Sequence, residues 1–218
     1  MPAGVCIAMS SRIDIIILAA GLSHRFRPED KLLMDVNGQP LYSISLKAAT
    51  SLKDEIYQRI VVARNPEIMK DAHEMGFTAV FNPLSEKGQS ESIKRGINAL
   101  ASRSNASEGR GAVIFMNADQ PFMNASVIRR LITCWKKKDM IIVPAANGHP
   151  ASPCLFPRRF LPDLMQLSGD AGGKKVYSKH PEETWFIGFD DTPDAELLFY
   201  DIDSPEDRSF IEKYLDRK

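Results

Sequence analysis

Apolar residues follow two alternating rhythms along this chain. Ile13-Asp14-Ile15-Ile16-Ile17-Leu18 is a short, almost unbroken β-branched run, the pattern of a strand buried on both faces. Runs at 60–63, 78–81, 112–116 and 140–143 repeat it and predict four more strands. Between them, apolar positions fall at helical spacing: Leu41, Ile44 and Ala48 within 40–51, and Ile93, Ile97 and Leu100 within 89–103. The stretch 66–75, closed by Gly76, and the stretch 126–138, with its basic tail, predict two further helices. Regular alternation of strand and helix predicts an α/β fold, with a largely parallel sheet carrying helices on both faces.

After residue 140 the rhythm changes. Asn147-Gly148-His149-Pro150 turns the chain, and 153–156 is expected to return as an antiparallel strand. Short helices are expected at 157–167 and 173–179, strands at 185–189 and 197–200, and a closing helix at 205–218 capped by Ser204. The denser strand signals predict antiparallel additions at one edge. Residues 102–111 are polar and read as a surface loop. Residues 1–12 read as a loose leader before a single domain spanning 13–218.

Composition narrows the class. Lys plus Arg and Asp plus Glu both number 28, so the formal net charge is zero and no basic excess marks a nucleic-acid or membrane-surface binder. Any anion site is therefore local. Three widely spaced cysteines, Cys6, Cys134 and Cys154, suggest reduced thiols and a cytoplasmic protein. No apolar stretch approaches the length of a membrane span. The four histidines are scattered without partners at ligand spacing, which argues against zinc.

Candidate chemistry begins where the first strand ends. Leu18-Ala19-Ala20-Gly21 places small residues at a strand-to-loop turn, where backbone N–H groups can approach phosphate closely. Ser23, Arg25 and Lys31 follow on the loop, and the two cations can neutralise a polyanion. The spacing matches neither a P-loop nor a dinucleotide fingerprint. Asp119 directly follows the fourth strand, at the edge where such sheets bind ligands, and an oxygen ligand there suits Mg²⁺. A second acid could come from Asp201 or Asp203, which point the same way if that segment is extended. Gly88, Ser90 and Ser92 open a helix and could hold base, ribose or phosphate, or could simply cap it. The Gly-rich segment with Asp170, Gly172 and Lys174 suits the phosphate of an acceptor.

Taken together, residues 18–26, Lys31-Leu32-Leu33, Gly38-Gln39-Pro40-Leu41, 88–92, Ala118-Asp119-Gln120-Pro121, Gly148-His149-Pro150, Ser168-Gly169-Asp170 and 201–207 resemble the molybdenum cofactor nucleotidyltransferases, the MobA-like NTP transferases. Within them the cytidylyltransferase branch is nearer, because Ala20 stands where guanylyltransferases tend to carry Gly. Arg27 departs from the family's usual Gly. The resemblance implies a three-layer α/β/α nucleotide-diphospho-sugar transferase (glycosyltransferase A-like) fold with a mostly parallel mixed sheet. It implies transfer of CMP from CTP to a phosphate-bearing acceptor such as molybdopterin, with release of pyrophosphate.

In that reading Arg25, Lys31 and Asp119 are catalytic, Asp119 with Asp203 or Asp201 holds Mg²⁺, and His149 joins the acceptor site. Transient contact with a molybdoenzyme would follow. Alternatives are a guanylyltransferase of the same cofactor, or a cytidylyltransferase of a sugar, methylerythritol or alcohol phosphate. A non-enzymatic cofactor carrier is a further alternative.

Overall fold

The structure, a computed structural model, describes residues 11–26, 30–101 and 110–215 of the 218-residue chain. Cys6, Arg27, most of the expected leader and most of the 102–111 loop lie outside the described residues.

Strand β1 (Arg12–Ala19) runs through the centre of the sheet. It pairs in parallel with β2 (Gln58–Ala63) on one side and β4 (Gly111–Asn117) on the other, and β2 pairs in parallel with β3 (Thr78–Phe81). Ile13, Ile15, Ile16 and Ile17 are all buried, as a strand covered on both faces requires. Their burial contributes about 1.5–3 kcal/mol each. Alternation divides them. Ile13, Ile15 and Ile17 face a core shared with α1 (Leu41–Thr50), α2 (Pro66–Glu74) and α4 (Ala125–Lys137). Ile16 faces the core under α3 (Gln89–Ala101), α5 (Leu161–Met165) and α6 (Gly173–Tyr177). Helix α3 lies so close to β1 that a Cβ at Gly96 would fall 2.6 Å from Ile16 Cγ2. The result is the expected three-layer α/β/α arrangement.

The second half departs from expectation in four places. Strand β5 (Ile141–Ala146) turns through Asn147 and Gly148, both at positive φ, into the two-residue β6 (His149–Pro150). The next strand, β7 (Cys154–Pro157), is antiparallel as expected, but it sits inside the sheet between β4 and β5. Strand β8 (Thr184–Gly188) pairs in parallel with β5. Pro157 completes β7, facing Ala112, so the expected helix at 157–167 begins only at Leu161, after a single turn at Arg158–Phe160.

The expected strand at 197–200 is instead a helical turn, α7 (Ala195–Leu198). There the Leu197 N–H donates to the Asp194 carbonyl at 2.9 Å, and Phe199 packs edge-on against Phe189 with ring centroids 5.0 Å apart. The last helix is α8 (Pro205–Leu215). No helix among the described residues is long and apolar enough to cross a membrane.

One polar group lies deep in the sheet. Asp14 on β1 is fully buried and receives the guanidinium groups of Arg158 and, at 3.4 Å, Arg12. This pair stands near the start of β1, opposite the strand end from which the loop at Gly21 departs.

Candidate active site

Parallel pairing brings the ends of β1 and β4 out side by side. Leu18 is in register with Asn117, and the Ala118 N–H donates to the Leu18 carbonyl at 3.1 Å. The turn at Ala20-Gly21 and the acid Asp119 therefore leave the sheet at the same edge, the crevice outside the carboxyl ends of the strands. A third segment arrives from far along the chain. The Ile202 N–H donates to the Asp119 carbonyl at 3.0 Å, which docks 201–203 against the exit of β4.

Lys31 ties these pieces together. Its Nζ donates to Asp119 Oδ2 at 2.8 Å, to the Ile202 carbonyl at 2.6 Å and to Asp203 Oδ1 at 3.3 Å. Burial opposes the ammonium charge, but the carboxylates of Asp119 and Asp203 outweigh it and raise the pKa of Lys31 above its ordinary value. Lys31 is therefore cationic at neutral pH. Asp201 is different: burial of its carboxyl group, with the charges of Asp119 and Asp203, pushes it up to about 7.

The loop that carries Lys31 is locally braced. Asp30 accepts from the Leu32 N–H and from the Ser23 hydroxyl, and Asn65 Nδ2 donates to its other oxygen at 3.3 Å. Ser23 adopts a positive φ of 48° to bring its hydroxyl there.

Asp119 Oδ1 is buried and has no hydrogen-bond partner, while Oδ2 is taken by Lys31. A buried carboxylate oxygen without a partner is costly, and a hard divalent cation would satisfy it. No group of three or more His, Cys, Asp or Glu among the described residues could hold a metal ion. The donor set thus fits an ion that takes one or two carboxylates and completes its shell with phosphate and water, as Mg²⁺ does.

Around this point lies a cavity of about 550 Å³. Leu18, Ala20, Gly21, Ser23, Arg25, Lys31, Gly88, Ser92, Asp119 and Asp203 all form its wall, so the structure brings most of the expected nucleotide residues together. Ala19 and Ser90 stand apart. Ala19 is buried in the core, and Ser90 is buried with its N–H donating to the Gly169 carbonyl. Ser92 reaches the cavity, but its hydroxyl also accepts from the buried Asn82 at 2.9 Å, so neither serine is a plain helix cap. Nothing lies within 4 Å of where a Cβ would stand on Gly21, so packing does not require glycine there.

A neighbouring cavity of about 410 Å³ contains Asp170, Gly172 and Lys174 from the expected acceptor segment, with Asp201 and Tyr177. His149 is exposed on β6 and is not part of this wall, although its neighbour Pro150 is. Asp201 and Asp203 are thus separated: Asp203 joins Asp119 and Lys31, and Asp201 turns to the second cavity. A third cavity of about 990 Å³ adjoins the first along Leu22, Ser85 and Glu86 and extends over Arg64, Asn65, Phe81 and Asn82.

Gln89 and Asn117, which residue patterns did not single out, line both of the first two cavities. The available signal for Asn117 was its place as the polar end of a buried strand. Gln89 lay within the segment 88–92 but had no signal of its own, because what it touches across the sheet edge is not written in its neighbours.

Comparison with known proteins shows the family and the fold. A family model described as the MobA-like NTP transferase domain matches residues 15–184. A molybdenum cofactor guanylyltransferase of Shewanella baltica is 26% identical over 215 residues, covering 92% of this chain and 95% of its own. The crystal structure of Rv0371c from Mycobacterium tuberculosis H37Rv superposes with a TM-score of 0.72 at 20% identity, over 94% of this chain and all of that one. The same protein in complex with manganese gives 0.70 at 20% identity, over 93% of this chain and 99% of that one.

Proposed function

We propose, since the chain belongs to the MobA-like NTP transferase domain family, that it moves CMP from CTP onto a phosphate-bearing acceptor, molybdopterin, and releases pyrophosphate. The observation that carries this reading is the meeting of Asp119 and Asp203 at the Lys31 ammonium beside the Gly21 turn. The triphosphate lies in the first cavity and the acceptor phosphate in the second, with Lys174 and Asp170 at its wall.

An oxygen of the acceptor phosphate forms a bond to the α-phosphorus while the bond from that phosphorus to the bridging oxygen breaks. The electron pair and its negative charge leave with pyrophosphate, and no proton need move. Catalysis is then positioning and charge stabilisation. Arg25, exposed at the cavity rim, grips phosphate with its planar fork, and Lys31 balances charge developing on the leaving group. Asp119 Oδ1 and Asp203 would hold Mg²⁺, which supplies neutralisation of the phosphates. Lys31 occupies the other oxygen of Asp119, so both cations have a place.

Ala20 at the turn supports CTP. The Shewanella baltica relative, named for guanylyl transfer, favours GTP as the second reading. The base would lodge in the adjoining cavity near Asn65, Phe81 and Asn82. A pyrophosphate-release assay with CTP or GTP, against molybdopterin and against sugar, methylerythritol and alcohol phosphates, tests this. CTP with molybdopterin is expected to exceed every other pairing at least tenfold. A tenfold preference for GTP transfers the assignment to the guanylyl reading, and nucleotide binding without pyrophosphate release makes the protein a carrier.

A further inference from the structure

The two cavities share a wall made by Leu18, Gln89, Asn117 and Asp170, and two of these side chains, from different elements, are joined to each other. Gln89 is the first residue of α3, and Asn117 is the last of β4. Gln89 Nε2 donates to Asn117 Oδ1 at 3.2 Å. Its other end, Oε1, lies only 2.4 Å from where a Cβ would stand on Gly172, so the amide is pressed against the acceptor loop. Asn117 is itself held, because its carbonyl accepts from the Ser45 hydroxyl on α1 at 3.1 Å.

The backbone around Gln89 makes the same connection. Gly88, at φ +93°, lies against the other loop so closely that a Cβ would fall 2.3 Å from the Gly169 carbonyl carbon. The next residue but one, Ser90, donates its N–H to the Gly169 carbonyl at 3.1 Å. The nucleotide loop before α3 and the acceptor loop before α6 are therefore one seam of backbone contact, with the Gln89 amide as its side-chain link.

We propose that Gln89 is a positioning residue that sets the acceptor loop in register with the bound nucleotide, so that the attacking phosphate is aligned on the α-phosphorus. This rests on the transferase reading above. The amide has no role in balancing charge, because it is neutral. Its effect is on alignment, where small displacements of the reacting atoms are costly in rate.

Gln89→Ala and Asn117→Ala, singly and together, test it. Gln89→Ala is expected to lower kcat and raise the KM for the acceptor, together at least tenfold in kcat/KM. The Kd for the nucleotide, measured by calorimetry without acceptor, is expected to change less than twofold. The double variant is expected to be no worse than the poorer single one, because both break the same link. Amide hydrogen exchange of 169–174 in the ligand-free protein is expected to quicken at least tenfold in Gln89→Ala with Tm unchanged.

Unaltered acceptor kinetics, multiplicative losses in the double variant, or unchanged exchange at 169–174 overturns the proposal. An equal loss in nucleotide Kd overturns it too. If the wild-type protein releases no pyrophosphate with any acceptor, the transferase reading fails by itself, and the exchange measurement still decides whether Gln89 holds the acceptor loop.

Discussion

Lys31 shows what a single side chain does in this molecule. A compact ammonium reaches three oxygens from two distant segments, and a planar guanidinium could not satisfy that arrangement equally well. Lys31→Arg is therefore expected to lose most of the activity, and Asp119→Asn more than a hundredfold in kcat/KM, consistent with about 2–4 kcal/mol for one charge contact in a transition state. Thermal unfolding of Asp119→Asn should remain near wild type; a large fall in Tm with activity retained per folded molecule would contradict a catalytic role.

Cys154 gives a second test at this scale. Burial pushes its thiol up to about 12, so almost no thiolate exists at pH 8. Cys154 is half-buried at the wall of the second cavity, so iodoacetamide at that pH is expected to label it much more slowly in the native protein than after unfolding, as read by peptide mass spectrometry. Equal rates in the native and unfolded protein would contradict a thiol held protonated. Of the residues that meet at the candidate site, Asp119 was legible because it stands just past a buried strand, and Arg25 and Lys31 because they follow a small-residue turn, whereas Asp203 was legible only as one of two closely spaced acids. Which oxygen of Asp119 lacks a partner, and that Asp203 rather than Asp201 joins it, were not legible, since both depend on how a segment 80 or so residues away docks.

Among the elements, the parallel strands were readable because burial on both faces writes a continuous apolar run, as in Ile15-Ile16-Ile17. Strand β7 was readable as a strand, though its place was not: four apolar residues look alike at an edge or between two neighbours. Helix α7 misled because Leu197, Leu198, Phe199 and Tyr200 form a short apolar run that carries no period, and only Phe199 among them is buried.

Two tests belong here. Gly88→Ala would need both a left-handed φ and space already filled by the Gly169 backbone, so it is expected to separate the two loops and depress activity at least tenfold. Full activity in that variant would mean the loops move apart freely. At the other end of β1, Arg158→Met leaves Asp14 buried with only Arg12 beside it. Chemical denaturation is expected to show a loss of about 3 kcal/mol with the catalytic constants unchanged in the folded protein. No change in stability would mean that Arg12 alone satisfies the carboxylate.

For the molecule as a whole, the sheet acts as a frame that delivers 18–26 with 30–33, 85–92, 117–120, 168–174 and 201–203 to one edge. Burial of the strands makes that frame stiff, while the loops remain open to a charged ligand. The most direct test of the account is a crystal grown with CTP and Mn²⁺, with the metal located by its anomalous scattering. The account expects one metal peak held by Asp119 Oδ1 and the Asp203 carboxylate, with Lys31 still against Asp119 Oδ2. A nucleotide bound at the Gly21 turn with its metal away from both aspartates would contradict it.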